Sequence, residues 1–312
     1  MSPGVKLSTV DSNLQEQRRR QRRARLHSLS PILFVVPALS FYGMFVVYPV
    51  LSALALSFFN WDGISPTRDF VGLHNYMQLF FHDPVFWTSI VNTFKWTALS
   101  IVLPTSIALT LAMAINQPLR GRTTIRTLIY VPSVLAPIAV ATIWVWMYNP
   151  YFGILNATFK LVGLRSLALN WLGDQRVALY SVFVAELWRR AGLYMVIFLA
   201  GLQGIPHELL EAARIDGANA WQVFRHITIP CLRQTFIIVA TLTTVNALRA
   251  FDVVFGMTGG GPAHKTQVLA SWSYFKSFNI NNYGQGMALS VVLLVCTLAI
   301  IVPYLLWTTR ED

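Results

Sequence analysis

The sequence contains few charged residues and few cysteines for its length. Asp, Glu, Lys and Arg make up 12% of its 312 residues, and 55% of the residues are hydrophobic. A soluble domain carries about 25% charged residues, so this shortage of charge excludes an ordinary soluble domain and indicates a polytopic membrane protein. The two cysteines, Cys231 and Cys296, have a spacing that fits neither a metal site nor a redox pair, and we expect two free thiols.

The sequence also lacks a nucleotide-binding P-loop. Its nearest approach to G-x-x-x-x-G-K-[ST] is Gly259–Thr266, in which His264 stands where the second glycine is required. We therefore expect no ATPase site, no catalytic residue, no metal site and no cofactor in this chain. The glycines of this stretch are expected to shape a turn instead.

Long uncharged stretches dominate the rest of the chain. A bilayer core of about 30 Å requires about 20 apolar residues per helix, and residues 28–61, 96–119, 127–159 and 277–309 contain no charged residue. We predict an all-α membrane domain over residues 28–309, preceded by a basic, disordered tail over residues 1–27. Its six transmembrane helices are predicted at 30–59, 90–116, 124–148, 177–203, 233–254 and 287–308.

The distribution of basic residues predicts the orientation. If the N-terminus is cytoplasmic, fourteen of the 24 basic residues lie on the cytoplasmic side, six lie on the opposite side and four lie within the spans. This bias predicts that both termini are cytoplasmic. The arginine-rich tail directly precedes an apolar run, which favours contact with an anionic membrane surface over nucleic-acid binding.

A polar segment, residues 207–230, interrupts the apolar pattern between the fourth and fifth spans. Pro206 and Glu208 suit the start of a helix. Asp216-Gly217 is a turn signal, and Asp216 is expected to cap a second short helix. Along that second helix four side chains form an apolar stripe, namely Ala220, Trp221, Phe224 and Ile227. From spacing alone, the stripe fits equally a groove on a partner protein and a surface of its own bundle or of the lipid.

The spacing within this segment resembles the signature loop of permease subunits in binding-protein-dependent ABC importers. Glu211-Ala212-Ala213 is followed by Gly217 and then by Ile227-Thr228-Ile229-Pro230, with Ile229 in place of the family's Leu. The resemblance extends over about residues 30–308. The stretches Phe251-Asp252 and Thr258–Pro262 resemble the sugar-importer branch, in particular the first permease subunit of maltose and glycerol-3-phosphate systems.

The resemblance implies a type I ABC importer permease fold with a cytoplasmic coupling helix between helices 4 and 5. It implies a bacterial inner-membrane heterodimer with a second permease, two ATP-binding subunits that hold ATP and Mg, and an extracytoplasmic substrate-binding protein. This chain itself is then no enzyme. The residues expected to dock on the ATPase and couple it to transport are Glu211, Ala212, Ala213, Asp216, Gly217, Trp221, Phe224, Ile227 and Pro230.

Charged and polar residues within the spans are candidates for a substrate path. They are Trp188, Arg189, Arg190, Thr243, Asn246, Arg249 and Asp252. Each has a structural alternative: Glu186 can pair with either arginine, Arg249 and Asp252 can pair on one helix face near the outer surface, and Thr and Asn can join helices. The arginines fit either such pairing or contact with sugar hydroxyls or an anionic group.

Other functions are compatible with part of this pattern. An ABC importer for glycerol phosphate, a sulfonated sugar, an amino acid or a peptide would carry the same coupling loop. An ion-driven secondary transporter would require repeats and buried carboxylates. The only carboxylate residues within the predicted spans are Glu186 and Asp252. A membrane scaffold without transport activity is the third alternative.

Overall fold

The computed structural model describes residues 35–118 and 120–308, and the predicted basic tail lies outside them. The chain divides into two units, Met1–Ala55 and Leu56–Asp312. The first unit contributes helix α1, Val35–Leu56, which is apolar along its length, contains a π-helical turn at Gly43–Val47 and extends one residue into the second unit.

The second unit is helical apart from one small hairpin. Phe59–Asn60 (β1) pairs antiparallel with Asp69–Phe70 (β2). The helices that follow are α2 His74–His82, α3 Pro84–Asn116, α4 Arg122–Val134, α5 Pro137–Met147, α6 Ile154–Leu161, α7 Ala178–Gln203, α8 His207–Ile215, α9 Ala220–Cys231, α10 Arg233–Leu248, α11 Asp252–Thr258, α12 Leu269–Tyr274 and α13 Tyr283–Thr308.

Three helices are long and apolar enough to cross a membrane, namely α1, α3 and the Tyr283–Tyr304 part of α13. Three further spans result if each bent helix pair counts as one span, with bends of 102° between α4 and α5, 68° between α7 and α8, and 66° between α9 and α10. The α4–α5 bend has a sequence cause. Pro137 begins α5 and has no N–H to continue the α4 ladder, so the helix breaks at Leu135 and Ala136.

The helix predicted over residues 233–254 ends earlier in the structure. Helix α10 stops at Leu248, and a new helix, α11, begins at Asp252. Phe251, the residue before α11, has φ −142° and ψ −59°, which is not helical. This break displaces Arg249 and Asp252 from the single helix face on which they were expected to pair.

Three apolar clusters hold the second unit together. One joins α3, α5, α7 and α11 around Trp96 and Phe183, whose rings meet edge to face at 5.2 Å. A second joins α3, α7 and α10 around Phe198, and a third joins α2, α3, α12 and α13 around Trp272. Helices α3 and α7 pack on each other, and α3 takes part in all three clusters.

The glycine-rich stretch forms a turn, as predicted. Gly259 caps α11 with φ +57°, and Gly260 follows with φ +91°, a conformation that favours glycine. A Cβ at Gly260 would collide with the side chain of Gln267, so the loop closes tightly on itself. The Asn92 amide on α3 donates to the carbonyls of Lys265 and Gln267, both at 2.8 Å, and so fixes the loop to the core.

Candidate functional site

Glu186 organises the charges in the middle of α7. Arg189 lies three residues on and donates through Nε and Nη2 to the two carboxylate oxygens, at 2.9 and 2.5 Å. Arg190 lies four residues on and donates through Nε at 2.8 Å. Because side chains at i+3 and i+4 share a helix face, one carboxylate binds both guanidinium groups. The predicted pairing of Glu186 is thus confirmed for both arginines.

Small residues let neighbouring helices approach this turn of α7. A Cβ at Gly192 would collide with the carbonyl oxygen of Ile129, so the backbones of α7 and α4 are in direct contact there. Close approach through glycine is a common way to join helices inside a membrane. The contact holds the arginine-bearing turn of α7 against α4.

Two adjoining small cavities lie against this charged turn. Both are lined by Trp96, Glu186, Arg190 and Asn246. The first has a volume of about 20 Å³ and continues along Ser100, Pro104, Tyr194 and Thr243. The second has a volume of about 40 Å³ and reaches Arg189, Arg249 and Asp252. Since a single water needs about 10–15 Å³, each cavity has room for only a few water molecules.

The structure brings six of the seven predicted path residues to these cavities. Arg190 lines both, whereas Arg189 lines only the second and is 7% exposed. Trp188 lies elsewhere, because its ring packs against Trp144 of α5 with centroids 5.9 Å apart.

The polar residues of α10 divide between packing and lining. The Thr243 hydroxyl donates to the Ala240 carbonyl of its own helix at 3.0 Å, and its side chain is buried. The Asn246 amide nitrogen donates to the Leu242 carbonyl at 2.7 Å, and the residue lines both cavities. Thr243 is therefore mainly a packing residue, whereas Asn246 both bonds its own helix and lines the cavities.

The prediction that Arg249 and Asp252 form an ion pair is wrong. Within residues 35–118 and 120–308 no ion pair of up to 4 Å joins them, because the α10–α11 break separates their backbones. Both instead line the second cavity. Asp252 also opens α11, where its carboxylate lies at the positive end of that helix.

Sequence reasoning did not identify the lining from α3 and part of that from α7. Trp96, Ser100 and Pro104 recur every four residues and therefore share one face of α3. Phe183 and Tyr194 extend the face of α7 that carries Arg190. The four-residue spacing of an aromatic, a hydroxyl and a proline was the available signal for α3.

The segment between α7 and α10 forms two helices joined by a tight turn. Helix α8 ends at Ile215, and Gly217 follows with φ +80°, which suits glycine at the end of a helix. The cap of the next helix is not Asp216, as expected, but Asn219. Its side-chain oxygen accepts from the Gln222 backbone at 2.9 Å, and the Gln222 side chain accepts from the Asn219 backbone at 2.7 Å.

Helix α9 contains a π-helical turn over Phe224–Thr228. Pro230 follows this turn, and the 66° bend into α10 comes at Leu232. The rings of Trp221 and Phe224 lie 5.5 Å apart on the predicted stripe.

The two ends of this segment are anchored and its middle is exposed. Ile205 and Leu232 are buried in the cluster around Phe198. Between them, Ile215 is 86% exposed and Trp221 is 64% exposed. Glu211 and Ala212 are exposed as well. A groove of about 300 Å³ lies along the turn, lined by Asp216, Gly217, Ala218, Gln222, Val223, His226 and Ile227.

Comparison with known proteins identifies the class to which these features belong. Residues 106–309 match the family described as binding-protein-dependent transport system inner membrane component, and the chain belongs to that family. It is therefore a membrane-embedded transport subunit and not an enzyme. The family resemblance inferred from the coupling-loop motif is confirmed.

Individual relatives cover nearly the whole chain. A probable ABC transporter permease of Pyrococcus horikoshii is 38% identical over 281 residues, which are 90% of this chain and 96% of that protein. The trehalose/maltose transport system permease MalF of Thermococcus litoralis is 32% identical over 296 residues, or 95% and 97% of the two chains.

A solved structure confirms the predicted fold. A chain of a bacterial ABC transporter involved in import of the acidic polysaccharide alginate superimposes with a TM-score of 0.80 at 21% identity, covering 93% of this chain and 99% of that one. The fold is thus the all-α fold of an ABC importer permease, as predicted. Among the residues that the structure describes, no cluster of three His, Cys, Asp or Glu side chains suitable for a metal ion occurs.

Proposed function

We propose that this chain is the permease subunit of an ATP-driven sugar importer and that residues 207–230 dock on an ATP-binding subunit. The exposure of apolar side chains in this coupling segment carries the proposal. Ile215 and Trp221 face outward between two buried helix ends, although burial of such side chains is strongly favourable. A groove on a partner protein would cover them and would receive the stripe formed by Trp221, Phe224 and Ile227.

The proposed assembly contains a second permease, two ATP-binding subunits that hold ATP and Mg, and an extracytoplasmic substrate-binding protein. The N- and C-termini are placed in the cytoplasm, on the same side as the coupling segment. The small size of both cavities supports a path shared between two permeases. With room for only a few waters in each, a sugar requires walls contributed by a second subunit.

In the proposed transport cycle, ATP binding closes the two ATPases and opens the permease pair outward, and hydrolysis returns the pair inward. A ligand shifts such an equilibrium only through different affinities for the two states. The coupling segment transmits this bias because both of its ends are buried, at Ile205 beside α7 and at Leu232 beside α10. These two helices carry Arg190 and Asn246.

The proposed substrate class is a sugar. The name of the Thermococcus litoralis relative, a trehalose/maltose permease, supports this class. The chemistry of the cavities agrees with it, because a guanidinium has five N–H donors and Arg190 commits one of them to Glu186. The remaining Arg190 donors suit hydroxyl groups. Glycerol phosphate, a sulfonated sugar, an amino acid or a peptide are the alternative solutes.

Reconstitution of the complete transporter tests the proposal. Proteoliposomes that contain this chain, the second permease, the ATPases and the binding protein should accumulate trehalose or maltose with ATP and Mg inside, and should not accumulate amino acids. Omission of ATP in the presence of an ion gradient is the control. Uptake driven by the gradient alone would contradict ATP coupling, and ATP-driven uptake of amino acids only would contradict the sugar class.

A further inference from the structure

A third cavity lies at the end of α7 opposite the coupling segment. It opens between the first turns of α7 and the outer part of α3 and has a volume of about 470 Å³. Helix α7 has 26 residues, so this cavity is about 39 Å along the helix axis from the coupling segment. It is much larger than the two small cavities and lies about one helical turn nearer the start of α7 than they do.

The lining of this cavity follows from helical periodicity. Trp87, Thr88, Val91, Asn92 and Lys95 recur at the spacing of one face of α3. Gln175 and Arg176 precede α7, and Leu179 and Tyr180 continue their face into its first turns. The loop after α11 adds Lys265, whose carbonyl is held by Asn92.

The cavity is strongly basic. Lys95, Arg176 and Lys265 line it, and no Asp or Glu appears among its described lining residues. Nor does any of these three cations form an ion pair within 4 Å in the described part of the chain. All three side chains are exposed. Asp174 lies nearby, and its carboxylate accepts from the backbone N–H of Arg176 at 2.8 Å, but it does not line the cavity. A cavity lined by three cations and no carboxylate is complementary to a group with more than one acceptor oxygen and a negative charge.

Aromatic and apolar residues accompany these cations. Trp87, Val91 and Tyr180 are 50%, 46% and 47% exposed, and the buried Leu179 also lines the groove. Trp and Tyr concentrate where a protein crosses the membrane–water interface. Lysine and arginine extend their charged ends to the same level while their stems stay in apolar surroundings. The groove thus offers charge for a head group and apolar wall for a chain.

We propose that this groove binds the phosphate group of an anionic phospholipid. Lys95, Arg176 and Lys265 hold the phosphate oxygens, and Val91 faces the start of an acyl chain. Arginine and lysine bind phosphate oxygens through charge-assisted hydrogen bonds. A lipid bound here would connect α3, α7 and the loop after α11. Asn92 already ties α3 to that loop, and the lipid would add α7 to the connection.

Native mass spectrometry of the intact transporter in detergent tests this assignment. The complex is titrated with phosphatidylglycerol and, separately, with neutral phosphatidylcholine. We expect phosphatidylglycerol to bind more tightly and the double variant K95Q/R176Q to weaken its binding about twenty-five-fold, or about fivefold for each cation. The matched control is K160Q/R165Q, which removes one exposed lysine and one exposed arginine outside the groove and should leave binding unchanged.

Three results would overturn the assignment. In the first, the K160Q/R165Q variant loses phosphatidylglycerol as strongly as K95Q/R176Q does. In the second, both lipids bind equally. In the third, inorganic phosphate also binds with a dependence on Lys95 and Arg176 while phosphatidylglycerol shows no advantage over phosphatidylcholine, so that the groove takes a soluble anion instead. The apparent Tm of each variant is measured in parallel, and it should stay at the wild-type value because both replaced side chains are exposed.

Discussion

Arg189 and Arg190 are adjacent in the sequence but have different surroundings in the structure. Arg189 is 7% exposed and donates twice to Glu186. Arg190 donates once to Glu186 and lines both small cavities. The bidentate bond fixes Arg189 in place, whereas Arg190 keeps donors that Glu186 does not engage. We therefore propose that Arg189 stabilises α7 and that Arg190 belongs to the substrate path.

This proposal predicts that two alanine variants change different quantities, the stability in one case and the KM for uptake in the other. Arg189→Ala should lower stability by about 2 kcal/mol, because it removes two charge-assisted hydrogen bonds and leaves Glu186 with one partner, and the apparent Tm should fall by about 5 °C. Arg190→Ala should change Tm less but raise the KM for uptake about tenfold. Thermal unfolding and initial uptake rates in proteoliposomes measure the two effects. Equal effects of the two variants on both quantities would contradict the assignment.

The cavity lining shows what a single sequence predicts at the residue scale. The candidates Arg190, Asn246, Arg249 and Asp252 were identifiable because polar residues are costly within an apolar span. Trp96 was not identifiable in this way, since an aromatic residue is common in any core. Its position beside Arg190 depends on how α3 packs against α7, and helical spacing within either segment does not specify that contact.

Asp83 shows how one side chain can anchor a whole helix. Its Oδ1 accepts from the backbone N–H groups of Val85 and Phe86 at 2.9 and 3.1 Å and so caps α3. Its Oδ2 accepts from Trp272 Nε1 and from Lys276 Nζ, each at 3.0 Å. The side chains of Asp83 and Lys276 are 10% and 15% exposed. The start of α3 is thereby joined to α12 and the π-helical turn after it.

A graded pair of substitutions tests this double role of Asp83. Asp83→Asn keeps a capping oxygen, but its NH2 group replaces the Oδ2 that accepts from Trp272 and Lys276, and it should cost about 1–2 kcal/mol. Asp83→Ala loses the cap as well and should cost about 2–3 kcal/mol. Hydrogen–deuterium exchange should rise around Trp272 in both variants, and in the first turn of α3 it should rise more for Ala than for Asn. Unchanged exchange around Trp272 in Asp83→Ala would exclude the link to α12.

At the scale of helices, the length of an apolar run predicted where a helix lies better than it predicted whether that helix is continuous. The long uncharged runs of α3 and α13 appear as single helices, whereas the run over 233–254 contains the break between Leu248 and Asp252. No proline or glycine marks that break in the sequence. It coincides with Phe251, whose ring stacks on Phe255 and meets Tyr274 of α12. Contacts distant in the sequence therefore accompany this change of direction.

The coupling segment depends on local signals throughout. The turn needs Gly217 at φ +80°, and the start of α9 needs the Asn219–Gln222 capping box. Such signals act within a few residues, which explains why the helix–turn–helix was predictable even though the capping residue was assigned to Asp216. A rigid segment built in this way, with both ends buried, is suited to move as a unit with the helices to which it is attached.

At the scale of the whole molecule, Trp221 connects the described fold to the proposed partner. Because its side chain is 64% exposed, Trp221→Ala should change the stability of the chain by about 0.5 kcal/mol or less. If Trp221 is a central contact with the ATPase, the same change should weaken docking by at least about 2 kcal/mol, or about thirtyfold. Substrate-stimulated ATP hydrolysis and ATP-driven uptake should then fall together while the apparent Tm stays unchanged.

Tyr151→Ala provides the matched control for Trp221→Ala. Tyr151 is also an exposed aromatic residue, at 91% exposure, and it lies in the loop between α5 and α6, outside the coupling segment. Its truncation should leave hydrolysis and uptake intact, since surface substitutions away from an interface have small effects. Both variants are reconstituted with the partner subunits at several ATPase concentrations. Excess ATPase should restore part of the activity of Trp221→Ala, because weakened docking is overcome by mass action. Full substrate-stimulated hydrolysis in Trp221→Ala at the lowest concentration would show that the exposed stripe does not carry the coupling.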